Sequence, residues 1–361
     1  MRDFDQHIWN EQLADDVRKL IMLAISEDLD GLGDITTQAL VAEEIQGAAV
    51  IRSREPGTIA GLAAMPVILS MVDSRLHGTF DVHDGDVVSA GQTLGKISGF
   101  VASLLTAERM VLNLVGKLSG IATLTRRYVD EVAGTQARIY DTRKTTLGWR
   151  RLEKYAVRCG GGNNHRTGLF DAILIKDNHL AFGASAIGTN NNDINSNAGY
   201  TPAEAVRKAR DFAALLVANS EKKETPQDRA TFLKKQRSCG IQVALKNSVP
   251  QKYKSCGIDV VRKSGGILSP PLVEIEVDSL EQLAEVLPES PDIVLLDNMS
   301  PEMLRQAVVM RNAARVATEL EASGGITLKN LRVVAETGVE RISAGALTHA
   351  AISLDIGLDY C

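Results

Sequence analysis

The stretch YDTRKTTLGWRRLEKYAVRCGGGNNHRTGLFDAILIKDNH, Tyr140–His179, gathers Arg143, Lys144, Arg150, Arg151, Arg158, His165, Arg166 and Lys176 around the triple glycine Gly160–Gly162. Two short apolar runs frame it, Ala137–Tyr140 and Ala172–Ile175, and each leads into basic residues. Such a run reads as a buried strand that delivers a polar side chain at its end. Cations at strand ends suit a ligand with several negative charges, because guanidinium and ammonium groups form charge-assisted hydrogen bonds to carboxylates and phosphates. The glycines are expected to let backbone approach that ligand. A solvated basic face is the plainer alternative for a charge run.

Working outward, one pattern recurs through the second half: apolar run, functional residue, polar loop, helix. Further runs are Leu272–Val277, Ile293–Leu296, Val316–Glu321 and Arg341–Ala344. Their ends carry, in turn, Glu276 with Asp278, Asp297, Ser323-Gly324-Gly325 and Ala344-Gly345-Ala346. Strands alternating with helices, with polar groups at the strands' C-terminal ends, predict an α/β fold: a βα barrel with its site at that face. An open doubly wound sheet competes, but no GxGxxG follows an early strand, and the functional residues are spread over many strand ends.

The rhythm breaks between Lys176 and Glu276. The Asn-rich residues 183–199 read as a polar loop near the site, and Pro202–Val217 as an amphipathic crossover helix behind a Thr201-Pro202 cap. Residues 219–271 read as an insertion, with short strands at Ile241–Leu245 and Ile258–Val261.

Upstream, residues 11–28 place Leu13, Val17, Leu20, Ile21, Ala24 and Ile25 on one face of a helix. Gly31 and Gly33 break it, and Asp34 or Thr36 is placed to cap the next element. Strands are expected at Ala48–Arg52 and Gly57–Ala60, a helix at Met65–Val72, and short strands through Phe80–Gly99. These hairpins resemble modules that carry biotin or lipoyl groups, but Lys96 falls inside the Leu94–Ile97 run rather than at the tip such a carrier needs. A long helix from Thr106 joins the halves. The expected domains are a structural α+β domain over 1–112, with 350–361 available to complete it, and a barrel over 113–349.

With 361 residues the chain can bury a sizeable core in two domains. A formal net charge of −5 argues against a nucleic-acid binder, so the central positive charge is local. No apolar run is long enough to span a bilayer, and MRDFDQHIWNEQ lacks the plan of a signal peptide. The cysteines, Cys159, Cys239, Cys256 and Cys361, form no CxxC pair, which fits a reducing cytoplasm.

Two carboxylates complement the cations. Glu276 in VEIEVDS and Asp297 in VLLDNM belong to strands too apolar to hold a carboxylate without a partner. Oxygen ligands on separate strand ends suit Mg²⁺, which takes one or two carboxylates plus phosphate oxygens; simple pairing with Arg or Lys is the alternative. The late loops ASGGITLKN and SAGALTH fit phosphate binding through backbone N–H groups, and equally two helix-starting turns. No GxSxG and no Cys–His nucleophile stands out. Lys176 could form a Schiff base, although a purely electrostatic role fits better among so many cations.

The motifs EDLDGLGDITT (27–37), TAER (106–109), DTRKT (141–145), GGGNNHRTGLFDAILIKDNH (160–179), VEIEVDS (273–279), LLDNM (295–299), ASGGI (322–326) and ISAGALTHA (342–350) resemble, in order and across nearly the whole chain, those of the quinolinate phosphoribosyltransferase family. The resemblance implies an N-terminal sandwich, an incomplete barrel of about seven strands, and a homodimer. It also implies a reaction: quinolinate and phosphoribosyl pyrophosphate give nicotinate mononucleotide, pyrophosphate and CO₂, a step of NAD biosynthesis. Arg143, His165, Arg166 and Lys176 would then hold the two carboxylates of quinolinate, and Arg109 would reach into the neighbouring subunit's site. Thr142 and Lys144 would line the substrate site, with Lys144 toward phosphoribosyl pyrophosphate. Glu276 and Asp297 would face its ribose and Mg²⁺. Ser323, Gly324 and Gly325, with Ala344, Gly345 and Ala346, would cradle the 5′-phosphate. Lys144, Lys176, Glu276 and Asp297 form the implied catalytic set.

Residues 219–271 have no counterpart in that resemblance. A paralogue associated with molybdenum transport shares the fold, but the complete DTRKT and HR…KDNH sets favour quinolinate. Two other readings remain at this point: a barrel enzyme that uses Lys176 as a Schiff base on a phosphorylated sugar, and a binding protein built on the Phe80–Gly99 module.

Overall fold

The structure, a computed structural model, describes residues 2–183, 199–220 and 269–361. In chain order its strands are β1 (Gln46–Ser53), β2 (Gly57–Thr58), β3 (His77–Phe80), β4 (Val87–Val88), β5 (Thr93–Phe100), β6 (Arg138–Tyr140), β7 (Ala172–Ile175), β8 (Leu272–Val277), β9 (Ile293–Asp297), β10 (Glu319–Ser323), β11 (Arg341–Ser343) and β12 (Ile356–Tyr360). The strands expected at Ile241–Leu245 and Ile258–Val261, and the Asn-rich loop, lie outside the described residues.

Six parallel strands run in the order β6-β11-β10-β9-β8-β7. From β7 to β11 each strand lies beside the next in sequence, and the first, β6, adjoins the last, β11. That circular order is the mark of a barrel; a doubly wound sheet reverses direction at a switch point instead. Beyond β6, Tyr140 pairs in parallel with Asn163 alone. Asp141 N–H donates to Asn163 O at 3.1 Å and Asn163 N–H to Ile139 O at 2.7 Å. A single residue therefore acts as a seventh stave. Among the described residues no strand ladder joins Asn163 to β7, and Arg166 Nη1 crosses that seam to Ala172 O at 3.3 Å. The barrel is incomplete.

The strand read at Val316–Glu321 forms later, at Glu319–Ser323. The preceding helix, Pro301–Ala314, ends at Arg315 in a left-handed conformation (φ 54°). Thr318 Oγ1 then donates to Pro291 O at 2.7 Å, so the residues before Glu319 complete a turn.

The second sheet is antiparallel, β12-β1-β5-β3, with β2 and β4 paired beside it. Val50 lies opposite Asp359 on one side and Lys96 on the other, so the returning strand β12 covers an edge of β1. Lys96 is exposed in mid-strand and paired, not at a tip. The first helix, Glu11–Leu29, is capped by Asn10, whose side chain accepts from Leu13 N–H at 3.1 Å. Asp34 caps the next, Ile35–Leu40, accepting from Thr37 N–H at 3.0 Å.

The long helix starts five residues before Thr106 and spans Val101–Glu131. Its buried face includes Leu104, Val111, Leu114, Val115, Leu118 and Ile121, each worth about 1.5–3 kcal/mol of burial. The boundary drawn at 112/113 falls inside this helix, which packs against both domains. The triple glycine serves it too. A Cβ on Gly160 would stand 2.4 Å from Ala122 O, and one on Gly162 2.7 Å from Thr125 Cγ2. Neither glycine lines the site cavity. Gly160 and Gly162 let the barrel approach the long helix, not a ligand.

Candidate active site

Alternation along three neighbouring strands puts polar side chains on the inner face of the sheet. Glu274 and Glu276 lie two apart on β8, Leu295 and Asp297 on β9, and Glu321 and Ser323 on β10. With the loops after β6, β10 and β11, all of these except the buried Glu274 line a cavity of about 860 Å³ at the C-terminal ends of the strands. Thr142, Arg143, Lys144, His165, Arg166, Lys176, Glu276, Asp297, Ser323, Gly324, Gly325, Ala344, Gly345 and Ala346 all face it. Arg109 does not; it is exposed on the long helix. The remaining basic residues of the central stretch have other duties. Arg151 pairs with Asp16, Arg158 donates to Gly162 O, and Arg150 lines a neighbouring cavity of about 490 Å³ with Lys117.

Among the described residues, Arg143, Lys144 and Arg166 form no ion pair. Burial, and after it the nearby Arg143, lowers the Arg166 pKa. Two guanidiniums held near each other without a salt-bridge partner, with only Glu274 and Asp171 partly offsetting the charge at Arg166, make a site that a multiply charged acid would relieve. Lys176 does have a partner, donating to Glu276 of the adjacent strand β8. Asp297 Oδ2 accepts from Asn298 Nδ2 at 2.9 Å.

His165 is nearly buried, with one side toward the cavity. Its Nε2 lies 3.0 and 3.3 Å from the two oxygens of Glu274 and 3.6 Å from Glu321 Oε1. Both carboxylates are fully buried, and neither Glu321 oxygen has a hydrogen-bond partner. Burial pushes the Glu321 carboxyl up to about 7. For His165, burial lowers the pKa, but Glu274 and Glu321 outweigh it and raise it. Nδ1 meanwhile accepts the Arg166 N–H at 2.8 Å. One arrangement fits these contacts: the ring proton sits on Nε2 and is donated to Glu274, with Glu321 close beside it. Both nitrogens expected to meet a substrate carboxylate are thus engaged within the protein.

Beneath this lies a buried ion pair. Lys154 Nζ donates to Asp141 Oδ1 and, at 2.8 Å, to His165 O. Asp141 also accepts from His165 N–H at 2.9 Å and Asn164 Nδ2 at 2.7 Å. Asp141 directly precedes the Thr142–Lys144 loop, so one carboxylate sets that loop against His165 and Arg166.

The glycine loops interlock with their neighbours. Gly324 has φ +91°, and a Cβ there would stand 2.2 Å from Asn298 Oδ1. Asn298, itself at φ 54°, donates its N–H to Ser323 O at 2.9 Å. Thr348 Oγ1 donates to Lys144 O at 2.6 Å, which ties the loop after β11 to the DTRKT loop.

The profile described as quinolinate phosphoribosyl transferase, N-terminal domain, matches residues 34–119, and that of the C-terminal domain matches 121–209 and 255–359. The chain belongs to the quinolinate phosphoribosyltransferase family. It is 38% identical over 348 residues to the nicotinate-nucleotide pyrophosphorylase [carboxylating] of Mycobacterium leprae, covering 96% of this chain and 97% of that one. To the probable enzyme of that name in Bacillus subtilis it is 34% identical over 343 residues, covering 95% and 93%. The solved nicotinate-nucleotide pyrophosphorylase from Francisella tularensis superposes with a TM-score of 0.74 at 30% identity, covering 99% of this chain and 100% of that one.

The C-terminal-domain profile leaves 210–254 unmatched, a stretch that overlaps the insertion read at 219–271; most of that insertion lies outside the described residues. Sequence reasoning also passed over Asp141, Lys154, Glu274 and Glu321. The alternation of VEIEV and ELEAS signals the two glutamates. Nothing local distinguishes Lys154 from the surface lysines and arginines around it.

Proposed function

We propose that the cavity brings quinolinate and phosphoribosyl pyrophosphate together and yields nicotinate mononucleotide, pyrophosphate and CO₂, as a step of NAD biosynthesis. The observation that carries this reading is the set Arg143, Lys144 and Arg166, gathered at the cavity and, among the described residues, in no salt bridge. Planar guanidiniums hold a vicinal dicarboxylate by paired hydrogen bonds. Ser323–Gly325 and Ala344–Ala346 offer backbone around the 5′-phosphate.

The chemistry needs position and charge more than a nucleophile. The pyridine nitrogen forms a bond to the anomeric carbon while the bond to pyrophosphate breaks and its electron pair leaves with pyrophosphate. The residues' task is to hold the two in line. Lys144 meets the charge that grows on the leaving group. The ring, now a pyridinium, keeps the electron pair released when CO₂ departs from the adjacent carbon, and that carbon then takes up a proton. Arg143, Arg166 and Lys176 hold the carboxylate neutralised until the nitrogen is alkylated.

Glu276 and Asp297, hard oxygen donors on neighbouring strand ends, fit a Mg²⁺ shared with substrate phosphates. When bound, the ion would neutralise pyrophosphate oxygens. The cluster His165, Glu274 and Glu321 has ligand atoms within 4.8 Å of one another, but its imidazole and internal hydrogen bond suit a structural role better.

Arg109, exposed on the long helix, suits delivery to the site of a second copy in a homodimer. Free Cys159 and Cys361 fit a reducing cytoplasm, and among the described residues no helix is long and apolar enough to cross a membrane.

The test is direct. Incubation with quinolinate, phosphoribosyl pyrophosphate and Mg²⁺ should give nicotinate mononucleotide with CO₂ and pyrophosphate in equal amounts. No product overturns the reading.

A further inference from the structure

The segment before the first helix was notable in sequence only for lacking a signal-peptide plan, yet it closes the barrel end opposite the site. Phe4 is buried in a cluster with Tyr140, Ala172, Leu272 and Ile293, the last three being the first residues of β7, β8 and β9. Its ring lies 4.3 Å from the His165 imidazole, centroid to centroid, at 30°. Asp3 accepts from Tyr140 OH at 2.8 Å and pairs with Arg341, the buried arginine of β11. Gln6 makes a two-way bridge with the backbone of Asn164: Nε2 donates to Asn164 O at 3.1 Å, and Oε1 accepts from Asn164 N at 2.8 Å. His7 N–H donates to Asn164 Oδ1 at 2.8 Å, and its Nε2 lies 2.8 Å from Thr167 Oγ1.

These contacts fall on both sides of His165 and Arg166. Asn164 precedes the pair, Thr167 follows it, and Phe4 supports the ring from below. Among the described residues Asn163 is a lone stave with no ladder beyond it, and no sheet hydrogen bonds hold Asn164–Thr167. The segment 3–7 takes that place.

We propose that Asp3–His7 is a positioning segment for substrate binding, with Phe4 and Gln6 fixing His165 and Arg166 so that the cavity receives a vicinal dicarboxylate. The inference rests on the quinolinate reading for its substrate. Phe4 and Gln6 touch no reactant; they act through His165 and Asn164.

The test compares full-length Phe4→Ala, Phe4→Leu and Gln6→Ala with wild type. Steady-state kinetics are read alongside calorimetric binding of phthalate, an aromatic vicinal dicarboxylate without the reacting nitrogen. In Phe4→Ala and Gln6→Ala the quinolinate KM and the phthalate Kd should rise about tenfold, while the phosphoribosyl pyrophosphate KM moves less than about twofold. Phe4→Leu, which refills the plug, should recover most of the loss. Quinolinate KM and phthalate Kd unchanged in both alanine variants, or both substrates' KM values rising together, would overturn the proposal. If wild type turns over no quinolinate, the functional reading fails by itself. Weakened phthalate binding in the alanine variants would still support the positioning role, and unchanged binding would overturn it.

Discussion

Lys176, just past the end of β7, donates to Glu276 near the end of the neighbouring β8. The pair joins the cation expected to meet a substrate carboxylate to a carboxylate expected to meet a metal, so loading the site must part them. With the lysine side chain 41% exposed, such a pair is worth about 0–1 kcal/mol and is readily exchanged. Lys176→Ala should therefore leave denaturant stability within about 1 kcal/mol of wild type. It should also lower kcat about 100-fold at saturating substrates. Unchanged turnover would contradict the role given to Lys176, and a borohydride-trapped adduct on it would point to Schiff-base chemistry instead.

The Asp141–Lys154 pair is different, because both side chains are fully buried. Lys154→Met removes one charge and leaves the other without its counterion, which should cost about 3–5 kcal/mol in urea unfolding. Adding Asp141→Asn should return much of that loss. A single variant within about 1 kcal/mol of wild type would show that the carboxylate is satisfied by Asn164 and the His165 backbone alone.

Glu321 gives a pH signature. Its carboxyl is raised from 4.5 to about 7 by burial, so the folded state holds a proton that the unfolded state has released between those values. Stability from this group is present below the unfolded pKa and is lost as pH rises through the folded one. Glu321→Gln removes that dependence. Relative to wild type, the variant should gain about 2–3 kcal/mol between pH 4.5 and pH 7.5, read from unfolding midpoints across pH. A pH-independent difference would place the proton elsewhere in the cluster.

At Gly324 a methyl group meets both a left-handed backbone and Asn298 Oδ1. Gly324→Ala should cost about 1–3 kcal/mol of stability and weaken binding of phosphoribosyl pyrophosphate, with quinolinate analogues less affected. Equal loss for both ligands in calorimetry would detach the loop from the phosphate.

Arg109 tests assembly. If it serves a second copy, Arg109→Ala and Lys176→Ala proteins, each strongly impaired alone, should regain about a quarter of wild-type activity after mixing by reversible dissociation. No recovery would leave Arg109 without a role in trans.

Much of the barrel was legible because its strands carry function at their ends: Glu276, Asp297 and Ser323 each follow an apolar run, and all three line one cavity. The order of strands was less so, since only pairing shows that β6 closes against β11. The triple glycine misled because sequence shows that backbone comes close to something without showing what; its neighbour is Thr125 of the long helix. Glu274 and Glu321 escaped because each stands between apolar residues at the centre of a strand, where a carboxylate has meaning only through His165, from a distant part of the chain. Phe4 and Gln6 left no signal at all. Their partners lie some 160 residues away, and a phenylalanine beside acidic residues looks like any exposed start of a chain.

The pairing of β12 with β1 makes the order of synthesis matter. The catalytic barrel is spelled out between two parts of the other domain, so β1 has β5 on one side and an open edge on the other until residues 356–360 have emerged. An open edge is a template for pairing with another chain. Strand β12 thus works as a latch, and a chain halted after the barrel would carry the residues that line the cavity on a scaffold prone to aggregate.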